Sequence, residues 1–291
     1  MIALLFLAAF AKLDPLSLGL SLARGLATSL LCAVRSEDCE GASRLASAYG
    51  PELAAAVRAH APEVVYERGM RALPVDYRRC RRSSCADRSG EGRVSRSASG
   101  EPATAFVRLI DCRRSAGIPS SGETADCSAQ RAGNLYLQYW FFYPDSATLR
   151  GVPVAGRKGY HRDDWETYQV RVSPGGRADV RASSHRGYNY EQGAANWASE
   201  AGIGFVDNGV EAVGLRRRDG WGPETGLLFV SGGSHAGNAK AVALRYSRFT
   251  PARRLRLIPF EALAGGETRR FAISPPWGKQ VWRDPEAEGT D

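Results

Sequence analysis

The residues His161-Arg162-Asp163-Asp164-Trp165-Glu166 bring an imidazole, three carboxylates and an indole into one short run. The next six, Thr167 to Val172, read as a strand: Tyr168, Val170 and Val172 alternate with Thr167, Gln169 and Arg171. Carried backwards, the alternation puts Asp164 and Glu166 on the face of the apolar residues. Two carboxylates at the mouth of a core-facing stripe are costly unless something neutralises them. With His161 close upstream, a divalent cation is the neutraliser that these residue types favour. Carboxylates, one imidazole and water suit a hard ion, so magnesium or calcium, with manganese next, fits better than zinc or copper. The alternative is a solvated strand end whose acids pair with some of the many arginines.

The chain has four histidines. His161, His185 and His235 sit at strand ends or in glycine- and serine-flanked loops, where functional side chains gather. His60 closes a helical stretch and has the ordinary explanation of a capping or surface residue. A hairpin over residues 171–182 would pair Val170 with Val180 and set Ser184 opposite Glu166. That register sends His185 to the far face, so it qualifies only as a supporting contact, together with Asp163, Trp165 and His235.

The run His161–Glu166 resembles the Gly-His-Arg-His-Asp-Trp-Glu heptapeptide of the necrosis- and ethylene-inducing-peptide-like proteins. It is also similar to the His-x-x-Asp-Trp-Glu stretch of the vacuolar-protein-sorting "sixty-two"-like family. The second family is matched further by Ala61–Tyr66 with Leu73–Asp76, by Tyr139–Asp145, and by Gly233-Ser234-His235-Ala236, in order over roughly residues 61–240. The first family's members are secreted β-sandwich cytolysins that carry a divalent metal and dock sphingolipid headgroups. The resemblance implies His161, Asp164 and Glu166 as metal ligands, with Asp145 as a fourth, and a sandwich fold. Tyr160 stands where the cytolysins have glycine, and Asp163 replaces their second histidine. The second change weakens the inference of sphingolipid toxicity and leaves the ligand positions intact.

The leading expectation is therefore a secreted, metal-dependent protein that binds an anionic lipid headgroup or a glycan at a membrane surface. Whether it is an enzyme is left open by the residues. A metal-assisted hydrolase could use Asp163, Asp164 or Glu166 as base for a bound water. His161, Asp163 and His235, followed by Arg245-Tyr246-Ser247, also mimic the 2-His-1-carboxylate pattern of iron(II)/2-oxoglutarate oxygenases. A purely structural metal is the remaining alternative.

At 291 residues the chain can bury a substantial core, and 43% hydrophobic with 24% charged residues is ordinary for a globular protein. The net charge of +8 comes from basic residues spread along the chain with no nucleic-acid-binding signature. It favours anionic surfaces in general and argues against nucleic acid. Six cysteines in short-range pairs point to an oxidising compartment. The natural pairing, Cys32–Cys39, Cys80–Cys85 and Cys112–Cys127, is one of about fifteen.

Residues 1–11 form an apolar run like a signal-peptide core, without a basic residue before it. Residues 12–60 read as helical, broken at Gly50-Pro51 and ended by Pro62, with Cys32–Cys39 stapling a turn between two helices. A polar loop covers about 78–103. An aromatic strand over 134–143 is stopped by Pro144. Short strands with turn-rich connections predict a mainly β, antiparallel sandwich of jelly-roll kind over residues 61–283, with a helical N-terminal appendage. The acidic tail, residues 284–291, is expected to fray.

Overall fold

A computed structural model describes residues 36–66, 73–79, 103–113, 118–119, 125–146, 161–184, 187–189, 221–230, 235–239, 254–260 and 270–287. The chain divides into two compact units, Met1–Ser43 and Arg44–Asp291. Only residues 36–43 of the first unit are described, as the opening of a helix.

Helix α1 spans Ser36–Tyr49 and α2 spans Pro51–Ala59. Gly50 divides them at φ 80°, and Pro51 opens the second helix, where a missing N–H costs nothing. The strands follow: β1 Glu63–Tyr66, β2 Thr104–Asp111, β3 Ile118–Pro119, β4 Leu135–Ser146, β5 His161–Val172, β6 Ala178–Ser184 and β7 Gly187–Asn189. They continue as β8 Gly222–Pro223, β9 Leu227–Val230, β10 Gly237–Asn238 and β11 Arg256–Pro259, before a single helical turn, α3, at Gln280–Arg283.

The strands form a mainly β, sandwich-like fold. The large sheet runs β11-β2-β4-β5-β6-β7, with β3 beside β2 and β8 beside β6; the small sheet runs β1-β9-β10. Most pairs are antiparallel, as the turn-rich sequence predicts. Each sheet also takes in one parallel pair, β1 with β9 and β11 with β2, because these partners lie far apart in sequence.

The central strand β4 is buried on both faces. Leu137, Tyr139, Phe141 and Tyr143 join Tyr168, Val170, Val180 and Ala182 in a core shared with Val64, Tyr66, Leu228 and Val230 of the small sheet and with Leu45, Ala54 and Val57 of the helices. Tyr49 and Tyr139 tie helices to sheet through their hydroxyls, which donate to the carbonyls of Val107 and Val57 at 2.6 Å. The opposite face of the large sheet carries Phe106, Trp140, Phe142 and Trp165, packed on Tyr77, Phe260 and Trp282.

Three expectations change. Cys39 lies inside α1, so it does not sit in a turn between two helices; Cys32, Cys80 and Cys85 lie outside the described residues. Strand β4 continues through Pro144 to Ser146, pairing again at Asp145 against Arg162. A proline removes one ladder bond, and the remaining groups keep the register. The tail does not fray at Trp282: Pro285 and Ala287 are buried, and residues 284–287 dock on the sheet. Trp221 packs over the Arg171 and Arg181 guanidiniums and donates to Glu286 at 2.7 Å. Cys112 and Cys127 form the expected disulfide.

Candidate functional site

The β5 register decides where the acids go. Tyr143 lies opposite Asp164, Phe141 opposite Glu166 and Tyr139 opposite Tyr168, so both carboxylates face the core between the sheets. Asp164 is 4% exposed and Glu166 9%. Trp165 takes the other face, within an aromatic group including Tyr77, Phe142 and Phe271. Its alternation makes it a core residue and removes it from the contacts expected at the site.

Asp164 collects two imidazoles. Its Oδ2 lies 2.7 Å from His235 Nδ1. A carboxylate only accepts, so Nδ1 carries the proton and donates, which leaves Nε2 as the ring's basic nitrogen. Its Oδ1 faces His161 Nε2 at 3.8 Å, while His161 Nδ1 sits 3.3 Å from the Arg162 carbonyl. His161 is the partly open member of the group; His235 is 3% exposed. Among the described residues, no arginine or lysine forms an ion pair with Asp164.

The small sheet delivers His235. It follows β9 and stands two residues before Gly237, where β10 begins, and its ring stacks on Tyr143 at 3.9 Å between centroids and 8° between planes. Strand β10 lies close against β6, and a Cβ on Gly237 would stand 3.0 Å from Ala182 Cβ and Leu228 Cδ1. The missing side chain is what allows that approach. Burial pushes the Tyr143 phenol well above its ordinary pKa, and the charges of Tyr66, Glu166 and Asp164 add to the effect. Tyr143 is therefore a neutral wall beside the carboxylates.

Glu166 meets Ser183, whose hydroxyl donates to Glu166 Oε2 and accepts from the Thr167 N–H at 2.6 Å. The β5–β6 pairing matches Val170 with Val180, as the sequence predicts, but ladder pairing stops at Tyr168–Ala182. Beyond that point the Ser183 hydroxyl supplies the contact to Glu166. His185 and the side chain of Asp145 lie outside the described residues. Asp163 Oδ2 accepts from Ala272 N at 2.8 Å, and the carboxylate beside His235 is Asp164. Among the described residues, His161, Asp163 and His235 do not form a group that could hold a metal ion.

Among the described residues, no three His, Cys, Asp or Glu side chains group closely enough to hold a metal ion. The gap between His161 Nε2 and Asp164 Oδ1 is one that a hard cation bridges at ordinary ligand distances of roughly 2–2.5 Å. The described residues thus offer one carboxylate oxygen and one imidazole nitrogen there, and no closed protein cage.

Sequence reasoning missed two members, Ser183 and Tyr143. Tyr143 was within reach, since extending the β4–β5 antiparallel pairing places it opposite Asp164. No family model matches the chain, and neither a curated protein nor a solved structure matches it.

Proposed function

We propose that this chain is a divalent-cation-dependent binding protein, with Asp164 and His161 as protein anchors of the ion and an anionic or sugar-bearing ligand as its target. One observation carries the reading. Asp164 is a buried carboxylate whose ion pairs among the described residues are with imidazoles alone. An imidazole can stay neutral at pH 7, so the negative charge calls for a cation that the side chains do not supply. A hydrated ion held at the strand end would present its water positions to hydroxyl or phosphate oxygens, the chemistry of a lipid headgroup or glycan. The basic balance of the chain favours an anionic surface, and the likeness of His161–Glu166 to the cytolysin heptapeptide agrees. Secretion follows from the cysteine usage and belongs to the same proposal.

The test is co-sedimentation with anionic liposomes and binding to a glycan array, each with magnesium or calcium and again with chelator. The expected result is binding that chelator abolishes and added ion restores. Binding of equal strength under both conditions overturns the reading.

Hydrolysis is the second reading, favoured by the Asp164–His235 pair. A carboxylate that fixes Nδ1–H leaves Nε2 able to take a proton from water. Its mark would be product release from phosphodiester or carboxylic-ester substrates that His235→Ala abolishes; an inactive wild type removes it.

A further inference from the structure

The described residues include three non-glycine positions with positive φ: Ala129 at 50°, Asp163 at 60° and His235 at 60°. Two of them adjoin one carboxylate. Asp163 is Asp164's chain neighbour, and His235 bonds its Oδ2. Left-handed backbone disfavours any residue with a Cβ, although Asp and His tolerate it better than most. Glycine would relieve it at either position. At His235 the fold keeps a side chain there, buried and stacked flat on Tyr143, with its single donated bond directed at Asp164.

Resting on the cation-binding reading, we infer that His235 is the positioning residue of the site. By holding Oδ2 through Nδ1–H, it fixes the carboxylate plane so that Oδ1 stays directed at His161 Nε2. Three restraints act on the ring: the Asp164 bond, the Tyr143 face, and β10, which is seated against β6 through Gly237. The carboxylate is thereby preorganised before an ion arrives. Ligand-bonding partners of this kind typically set affinity by roughly 10–100-fold. His235 makes no contact with the ion in this account. Its Nε2 remains the nitrogen turned away from Asp164.

Manganese binding by the full chain, followed by electron paramagnetic resonance, separates the outcomes. His235→Gly removes the imidazole and relieves the backbone but leaves Asp164 Oδ2 without its donor, so it is expected to melt roughly 5–10 °C below wild type while binding manganese roughly 10-fold more weakly or worse. His235→Asn keeps a donor near the Nδ1 position and tolerates the left-handed backbone; its affinity is expected within about threefold of wild type. If His235→Gly binds as tightly as wild type, the positioning role is overturned while the cation reading stands. A wild type that takes up no manganese overturns both. Should His235→Gly unfold, Tyr143→Leu decides: it removes the stack and is expected to weaken binding several-fold, and unchanged affinity overturns the role.

Discussion

Two groups of carboxylates in this chain are answered by different cations. In the C-terminal segment, Asp284 receives both arms of the Arg131 fork at 2.6 Å, and Glu286 meets Arg171, the Trp221 indole and the Tyr136 hydroxyl. At the start of β5, Asp164 meets His235 and His161. A guanidinium is charged at every working pH and closes a carboxylate with two parallel bonds. An imidazole gives one bond and need carry no charge. The first arrangement is complete in itself. The second leaves a buried carboxylate whose partners need carry no charge, and that difference separates a structural latch from a candidate site.

The comparison breaks if losing the latch weakens cation binding. Trp282→Ala should give the largest effect. Its indole is 1% exposed and packs on Phe260 and against the Arg108 guanidinium. Urea unfolding is expected to show a loss of about 3–5 kcal/mol with cation affinity unchanged. Arg131→Ala strands Asp284 and should cost about 1–3 kcal/mol on the same assay, again without touching the site. Gly237→Ala sharpens the contrast from the other side. The added methyl meets Ala182 and Leu228 at 3.0 Å, so about 1 kcal/mol of stability and part of the cation affinity should go together.

The smallest effect is set by pH. Burial alone would raise the Asp284 pKa, but the Arg131 hydrogen bond, the Glu286 N–H and the Arg131 charge together outweigh it and hold it below its ordinary 3.8. A carboxyl depressed in the folded state adds stability above its unfolded pKa and loses it as pH falls through the folded value. Melting temperature should therefore decline below about pH 4, and Asp284→Asn should flatten part of that decline. A decline of equal depth in Asp284→Asn removes the latch from the account.

Much of the frame was legible because strand periodicity is local. Alternation in Thr167–Val172 fixed the faces of Asp164, Glu166 and Trp165, and the Val170–Val180 register followed from the turn residues at 173–177. What lay hidden was long-range. Nothing near His235 in sequence says that its ring stacks on Tyr143, and that contact joins residues 92 apart (235 − 143). The latch was hidden for the same reason. An acidic tail reads as solvated until Arg131, Arg171 and Trp221 are brought to it from three separate segments. Pro144 misled differently. A proline does end many strands, but here the flanking ladder holds on both sides of it.

The central claim is that Asp164 anchors a divalent cation, and metal analysis of purified wild type beside Asp164→Ala tests it most directly, with melting recorded in chelator and in excess magnesium. The account predicts close to one equivalent of ion in wild type, none in the variant, and a melting temperature that chelator lowers in wild type alone. Equal metal content in both proteins, or a chelator response shared by both, would contradict it.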